Sequence, residues 1–167
     1  MTARTITMRV PDSLGTLFAG VLERFSLLED HHGECSQVTL WFRSRDAGVA
    51  ISSEMHDVAD RLEVGVLNIK NVYSDPDSSF VAFPKEGTPR TQRLVPALEV
   101  KALWKLSISE NEAECESGLR LLLSDETELS ILPSAFPCHV VPIRNGHSLT
   151  KKPTEYKYEN YKQERIF

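Results

Sequence analysis

The residues able to do chemistry are few and stand in short clusters. HHGEC places His31, His32 and Cys35 together, and SEMHD offers Glu54, His56 and Asp57. A zinc site needs three or four converging ligands, usually in paired spacings. Adjacent histidines on an extended loop point to opposite sides, so HHGEC reads as a solvated turn and no metal is expected. Cys138-His139 has the residue types of a thiol nucleophile and its base. Neighbours on a strand face opposite ways and cannot meet, so Cys138 reads instead as a small buried apolar residue. No Gly-x-Ser-x-Gly, no His-Glu-x-x-His and no glycine-rich phosphate loop occurs among the eight glycines. Carboxylates abound on polar turns, where ordinary pKa values give catalysis little. The chain reads as a non-enzyme without a cofactor, and a hydrolase using His56 with nearby carboxylates ranks last.

The densest charge lies in ENEAECESGLRLLLSDETE, residues 110–128. Glu110, Glu112, Glu114, Glu116, Asp125, Glu126 and Glu128 stand there against the single base Arg120. One reading is that acidic turns keep hairpins soluble and guard strand edges. The other is an acidic face that steers a basic partner into contact. Glu29, Asp30 and Glu34 would enlarge that face if the two halves pack with matching ends together. Trp41 and Leu122 occupy outward positions between inward apolar residues, which marks either a covered face or a binding patch. With the seven acids they form the candidate partner-binding set.

The elements that must position these residues are strands. Shifted by 81 positions, LERFSL falls on LWKLSI and VTLWF on LRLLL, and Val38, Leu40 and Phe42 meet Leu119, Leu121 and Leu123. With one residue dropped in the next turn, Val49 and Ile51 fall on Leu129 and Ile131. The period in these segments is two, as in half-buried strands. The chain is therefore expected to be mainly β, with α+β open: two tandem antiparallel repeats, residues 18–72 and 97–143, forming a sandwich, barrel or β-roll. Further strands are expected at TITMRV, LEVGVLNI, SSFVAF and HVVPI. DSLGTLFAGVLERF, capped by Asp12 or Ser13, reads as a short helix, and SEMHDVADRL as a second helix or a loop. Residues 84–96, with three prolines, read as a connector and the most mobile segment. One domain covers residues 1–150. Residues 151–167 form a basic tail that carries three of the four tyrosines and is either docked, added as a strand or ordered by a partner.

Composition narrows the partner. A net charge of -5 opposes nucleic-acid binding, which requires clustered Lys and Arg. The N-terminal MTARTITMRVPDS lacks the apolar run of a secretory signal, and no apolar stretch approaches a spanning helix. Three cysteines without C-x-x-C spacing fit reduced thiols in a cytoplasm. VTLWFRSRDAGVAISSEMHDV, then VGVLNI, and GLRLLLSDETELSILPSAFP resemble small, duplicated, strand-rich bacterial cytosolic proteins of the polymorphic-toxin immunity type. That resemblance implies a protein that binds and occludes a cognate toxin and performs no chemistry. An acidic surface would suit a toxin with a basic cleft, such as a nuclease. A homodimer stays open, as does a small-molecule or regulatory domain with its ligand between the two halves.

Overall fold

The computed structural model describes residues 4–73 and 88–167. Alternating apolar and polar residues make most of these strands. β1 is Arg4–Ile6, β2 Val21–Glu29, β3 Cys35–Phe42, β4 Gly48–Ala59 and β5 Leu62–Val72. β6 is Thr88–Glu110, β7 Ala113–Leu123, β8 Glu128–Pro133, β9 Val140–Arg144, β10 His147–Ser148 and β11 Lys162–Arg165. They form one sheet in the order β10-β9-β8-β7-β6-β2-β3-β4-β5. Pairing is antiparallel throughout that path, as short turns between successive strands require.

The sheet bends through β6, which pairs with β2 over its first half and with β7 over its second. Register shifts at Leu22/Arg24 and Val100/Ala102 mark the bend. Pairing of Cys35 with Val140 then joins β3 to β9 and closes β3-β2-β6-β7-β8-β9 into a ring. The enclosed space is filled by Leu22, Phe25, Leu40, Phe42, Leu103, Leu121, Leu123 and Leu129, all buried. Leu40, Phe42, Leu121 and Leu123 thus share one core. β5 meets β7 and β8 so closely that a Cβ on Gly65 would stand 2.6 Å from Pro133 Cβ. A Cβ on Gly118 would stand 2.4 Å from Leu132 Cδ2.

The chain ends complete the sheet. β1 pairs with β7 in parallel, and Arg9 bridges to Asn68, so the N-terminal segment spans from β7 to β5. β11 adds to β6, and Leu103 N–H donates to Phe167 O at 3.1 Å. Of the three readings of the tail, the added strand is the one found. Tyr161 is buried beneath it.

Several expectations are corrected. The predicted helix from residue 12 stops after one turn: α1 is Leu14–Phe18, with Ser13 Oγ accepting from Thr16 N–H at 3.2 Å. The Arg45 guanidinium donates to the carbonyls of Leu17, Thr16 and Ala19, which a longer helix would have satisfied itself. GVLERF turns to period two and enters β2. SEMHDVADRL is neither helix nor loop but the end of β4 and its turn into β5. Its pairings from Ser53 with Leu67 to His56 with Val64 outweigh the charge pattern that favoured a helix. Residues 88–96 of the expected connector lie in β6, which includes a cis Val95-Pro96 peptide. SSFVAF lies outside the described residues. In TITMRV, Met8 is buried but Val10 is exposed.

The expected repeat is matched by one pair of strands in each half and not by the other. Val38 and Leu40 pair with Ile51 and Val49, just as Leu119 and Leu121 pair with Ile131 and Leu129. In the preceding hairpins Phe25 pairs with Leu40, whereas Leu121 pairs with Leu103 and Leu106 with Gly118. One hairpin keeps the common register and the other slips, so an internal duplication is not shown.

Candidate partner-binding surface

The β6–β7 turn places Asn111 and Glu112 at φ 48° and 62°. Two central residues with positive φ match the twist of a two-residue hairpin, where Asn and Gly are favoured and Glu is not. Glu126, in the β7–β8 turn, has φ 67°. Both turns therefore carry an exposed acid at a position that glycine would occupy with less strain.

Asn111 Nδ2 donates to Val58 O at 3.1 Å, and Arg4 Nη2 to Asp57 O at 2.8 Å. These bonds fasten the β6–β7 tip to the β4–β5 hairpin. Asp57, Asp60 and Glu63, all exposed, join Glu110, Glu112 and Glu114 at one end of the molecule. Sequence reasoning weighs Asp57 only as a metal ligand and does not join Asp60 and Glu63 to the acidic set, because the contact between the two hairpins is not local in sequence.

The seven acids of residues 110–128 do not form one patch. β7 has 11 residues, so its two ends lie about 33 Å apart. Glu116 is buried inside: its carboxylate binds Lys105 Nζ at 2.6 Å and accepts from Met8 N–H at 2.9 Å. Glu114 lies 3.9 Å from Lys162, and Glu128 is paired with Arg120, whose guanidinium also stacks on Trp104. Asp125 accepts from Thr127 Oγ1 and N–H, and its carboxyl is held below the ordinary value chiefly by the Oγ1 bond, against an opposing effect of desolvation. Trp41 is 8% exposed, with the Arg24 guanidinium 4.5 Å from the ring centroid, so it is buried within the chain. Leu122 is half-buried opposite Glu128. Glu29 is tied to Arg90 at 2.8 Å, and Glu34 is buried with Lys152 at 3.2 Å, so neither extends the acidic end.

The His31 and His32 rings do not diverge but lie 3.8 Å apart, because they sit in a turn rather than on a strand. Cys35 is buried: its thiol donates to Gln37 O and burial pushes its pKa up to about 12. Among the described residues, no group of three His, Cys, Asp or Glu side chains could hold a metal. Cys138 is exposed, not buried, at φ 63° in a loop. His56 Nε2 and Arg9 Nη2 lie 3.7 and 3.5 Å from Glu54 Oε2, and Asn68 Nδ2 donates to Glu54 Oε1 at 2.9 Å. That network ties the N-terminal segment to β4 and β5.

Comparison with protein-family models, curated proteins and solved structures finds no match to this chain. In the described residues no helix is long and apolar enough to cross a membrane.

Proposed function

We propose that this chain is a non-catalytic module that binds a basic-surfaced protein through its acidic end. The form implied by the sequence resemblance is an immunity protein that occludes a cognate toxin. The observation that carries the reading is the Asn111–Val58 bond, which brings acids from two distant hairpins together. Among the described residues the bases at that end are Arg4, Arg61 and Lys162. Such a field raises the encounter rate with a cationic surface at low salt. The test is the combined change Asp60→Lys, Glu112→Lys and Glu114→Lys, assayed for association with a partner found by pull-down or from the adjacent gene. Slower association and a flatter salt dependence are expected. Unchanged rates at low salt would leave the acids as solubility devices.

A second reading, a small-molecule-binding domain, rests on a cleft of about 270 Å³ lined by Phe25, Leu27 and Leu149; no residue of 97–143 lines it, so it lies beside the first half and not between the two. Arg90 stands there, tied to Glu29 and donating to Leu149 O at 2.9 Å. A small amphipathic ligand in that cleft would raise Tm with its concentration, and flat melting against a panel of such compounds would count against it.

A further inference from the structure

β11 runs beside β6 only as far as the pair Lys162–Ser107. The tail there turns away through a 3₁₀ turn, Tyr158–Asn160, and comes back to β6 at Tyr156, whose hydroxyl donates to Glu110 Oε2 at 3.1 Å. The detour leaves a groove of about 450 Å³ between residues 107–110 of β6 and Tyr156, Asn160 and Lys162. The half-buried Tyr156 ring gives it apolar surface and the exposed Ser109 a hydroxyl, while Ile108 and Ser107 beneath are buried. Glu110 is fixed by the Tyr156 hydroxyl, and no base pairs with it among the described residues. Lys162, the cation in the lining, is turned to Glu114.

We propose that this groove takes an arginine or lysine side chain of the partner, with its head group on Glu110. The inference rests on the reading of the acidic end as the binding face. Arginine and lysine combine an apolar stem with a cationic tip, which matches the half-buried Tyr156 ring leading to the Glu110 carboxylate. Glu110 accepts a charge-assisted hydrogen bond, and its second oxygen is free to make the contact bidentate with a guanidinium. An acidic side chain is repelled from the same place.

The probe is N-acetyl-arginine amide, titrated into the ¹⁵N-labelled full chain and followed by amide shifts, with N-acetyl-glutamine amide as the neutral control. Saturable shifts confined to residues 107–110, 160 and 162 are expected with arginine amide and not with the control. Glu110→Gln keeps the acceptor for Tyr156 and should weaken binding about fivefold or more. Ser109→Phe, at an exposed position, should fill the groove and abolish binding with Glu110 intact. Unchanged affinity in Glu110→Gln, or shifts equally large around Glu126, would overturn the proposal. If the groove fails in this way while charge reversal at Asp60, Glu112 and Glu114 still slows partner association, the acidic-end reading stands without it.

Discussion

At the scale of the residue, burial separates side chains of the same type. Cys35 and Cys115 are buried and burial raises both thiol pKa values, whereas Cys138 is exposed. Thiolate is the reacting form, so a disulfide reagent should label one thiol per folded chain at pH 8 and three in denaturant. Rapid labelling of all three in the folded protein would show that the sheet opens around Cys35. The glycines divide in the same manner. Gly65 faces the rigid ring of Pro133, so Gly65→Ala should cost about 1–3 kcal/mol by overpacking. Gly15 lies in α1 with only Phe167 Cδ1 at 4.0 Å, so Gly15→Ala should stabilise by about 0.5–1 kcal/mol. Urea unfolding of the two variants checks both signs.

The hairpin and the tail show how an element assigns roles to like residues. Glu116 and Glu112 are four positions apart, yet one is an internal clamp and the other a tip. Glu116→Ala would leave Met8 N–H without its acceptor and Lys105 with only the exposed Glu164 at 3.3 Å. A loss of about 3 kcal/mol is expected from breaking that largely buried pair. Glu112→Gly should gain about 1 kcal/mol by relieving positive φ, at the cost of a charge the proposed function uses. Both are read from denaturant midpoints. In the tail, Glu155 accepts from Gly65 N–H through both oxygens at 3.1 Å, and burial raises its carboxyl pKa despite that bond. A carboxyl with a raised pKa keeps its proton in the folded state after the unfolded chain has lost it. Its contribution to stability is therefore full below the unfolded value near 4.5 and falls as pH rises through the folded value. Relative to Glu155→Gln, the native protein should lose stability from pH 4.5 upward, measured by urea unfolding at stepped pH. A difference that stays flat would mean that Glu155 is solvated, and one that rises would mean that the Gly65 N–H bonds hold the carboxylate charged.

For the whole molecule, the net charge of -5 says less than its placement. Asp125 and Glu126 lie at the far end of β7 from Glu112, beyond several Debye lengths at physiological salt. Reversing Asp125 and Glu126 to Lys should therefore leave partner association nearly unchanged, while reversal at Asp60, Glu112 and Glu114 slows it. Stopped-flow association at two salt concentrations distinguishes the ends, and equal effects from both would indicate steering by net charge alone. Reversal at Asp60 and Glu112 should shift the denaturant midpoint little, since exposed turn charges contribute little to stability, whereas Asp125→Lys also loses the bonds to Thr127 N–H and Oγ1.

The sequence by itself determined the central strands and the core they share. Period-two alternation around Leu40, Phe42, Leu121 and Leu123 is a local consequence of having one buried face, and it needs no partner strand to be read. It also placed the turns, because Asn111 and the acids beside it cannot be buried cheaply. Tertiary structure alone decided how the acids divide. Lys105 and Met8 reach Glu116 only when β6 pairs with β7 and the N-terminal segment is laid across from β7 to β5. It likewise decided that residues 53–59 extend rather than coil, since strand propensity depends on the neighbour that β5 supplies. Joining the tips at Asn111 and Val58 spans 53 residues of chain and is set by the closure of the sheet, which no short window of sequence contains.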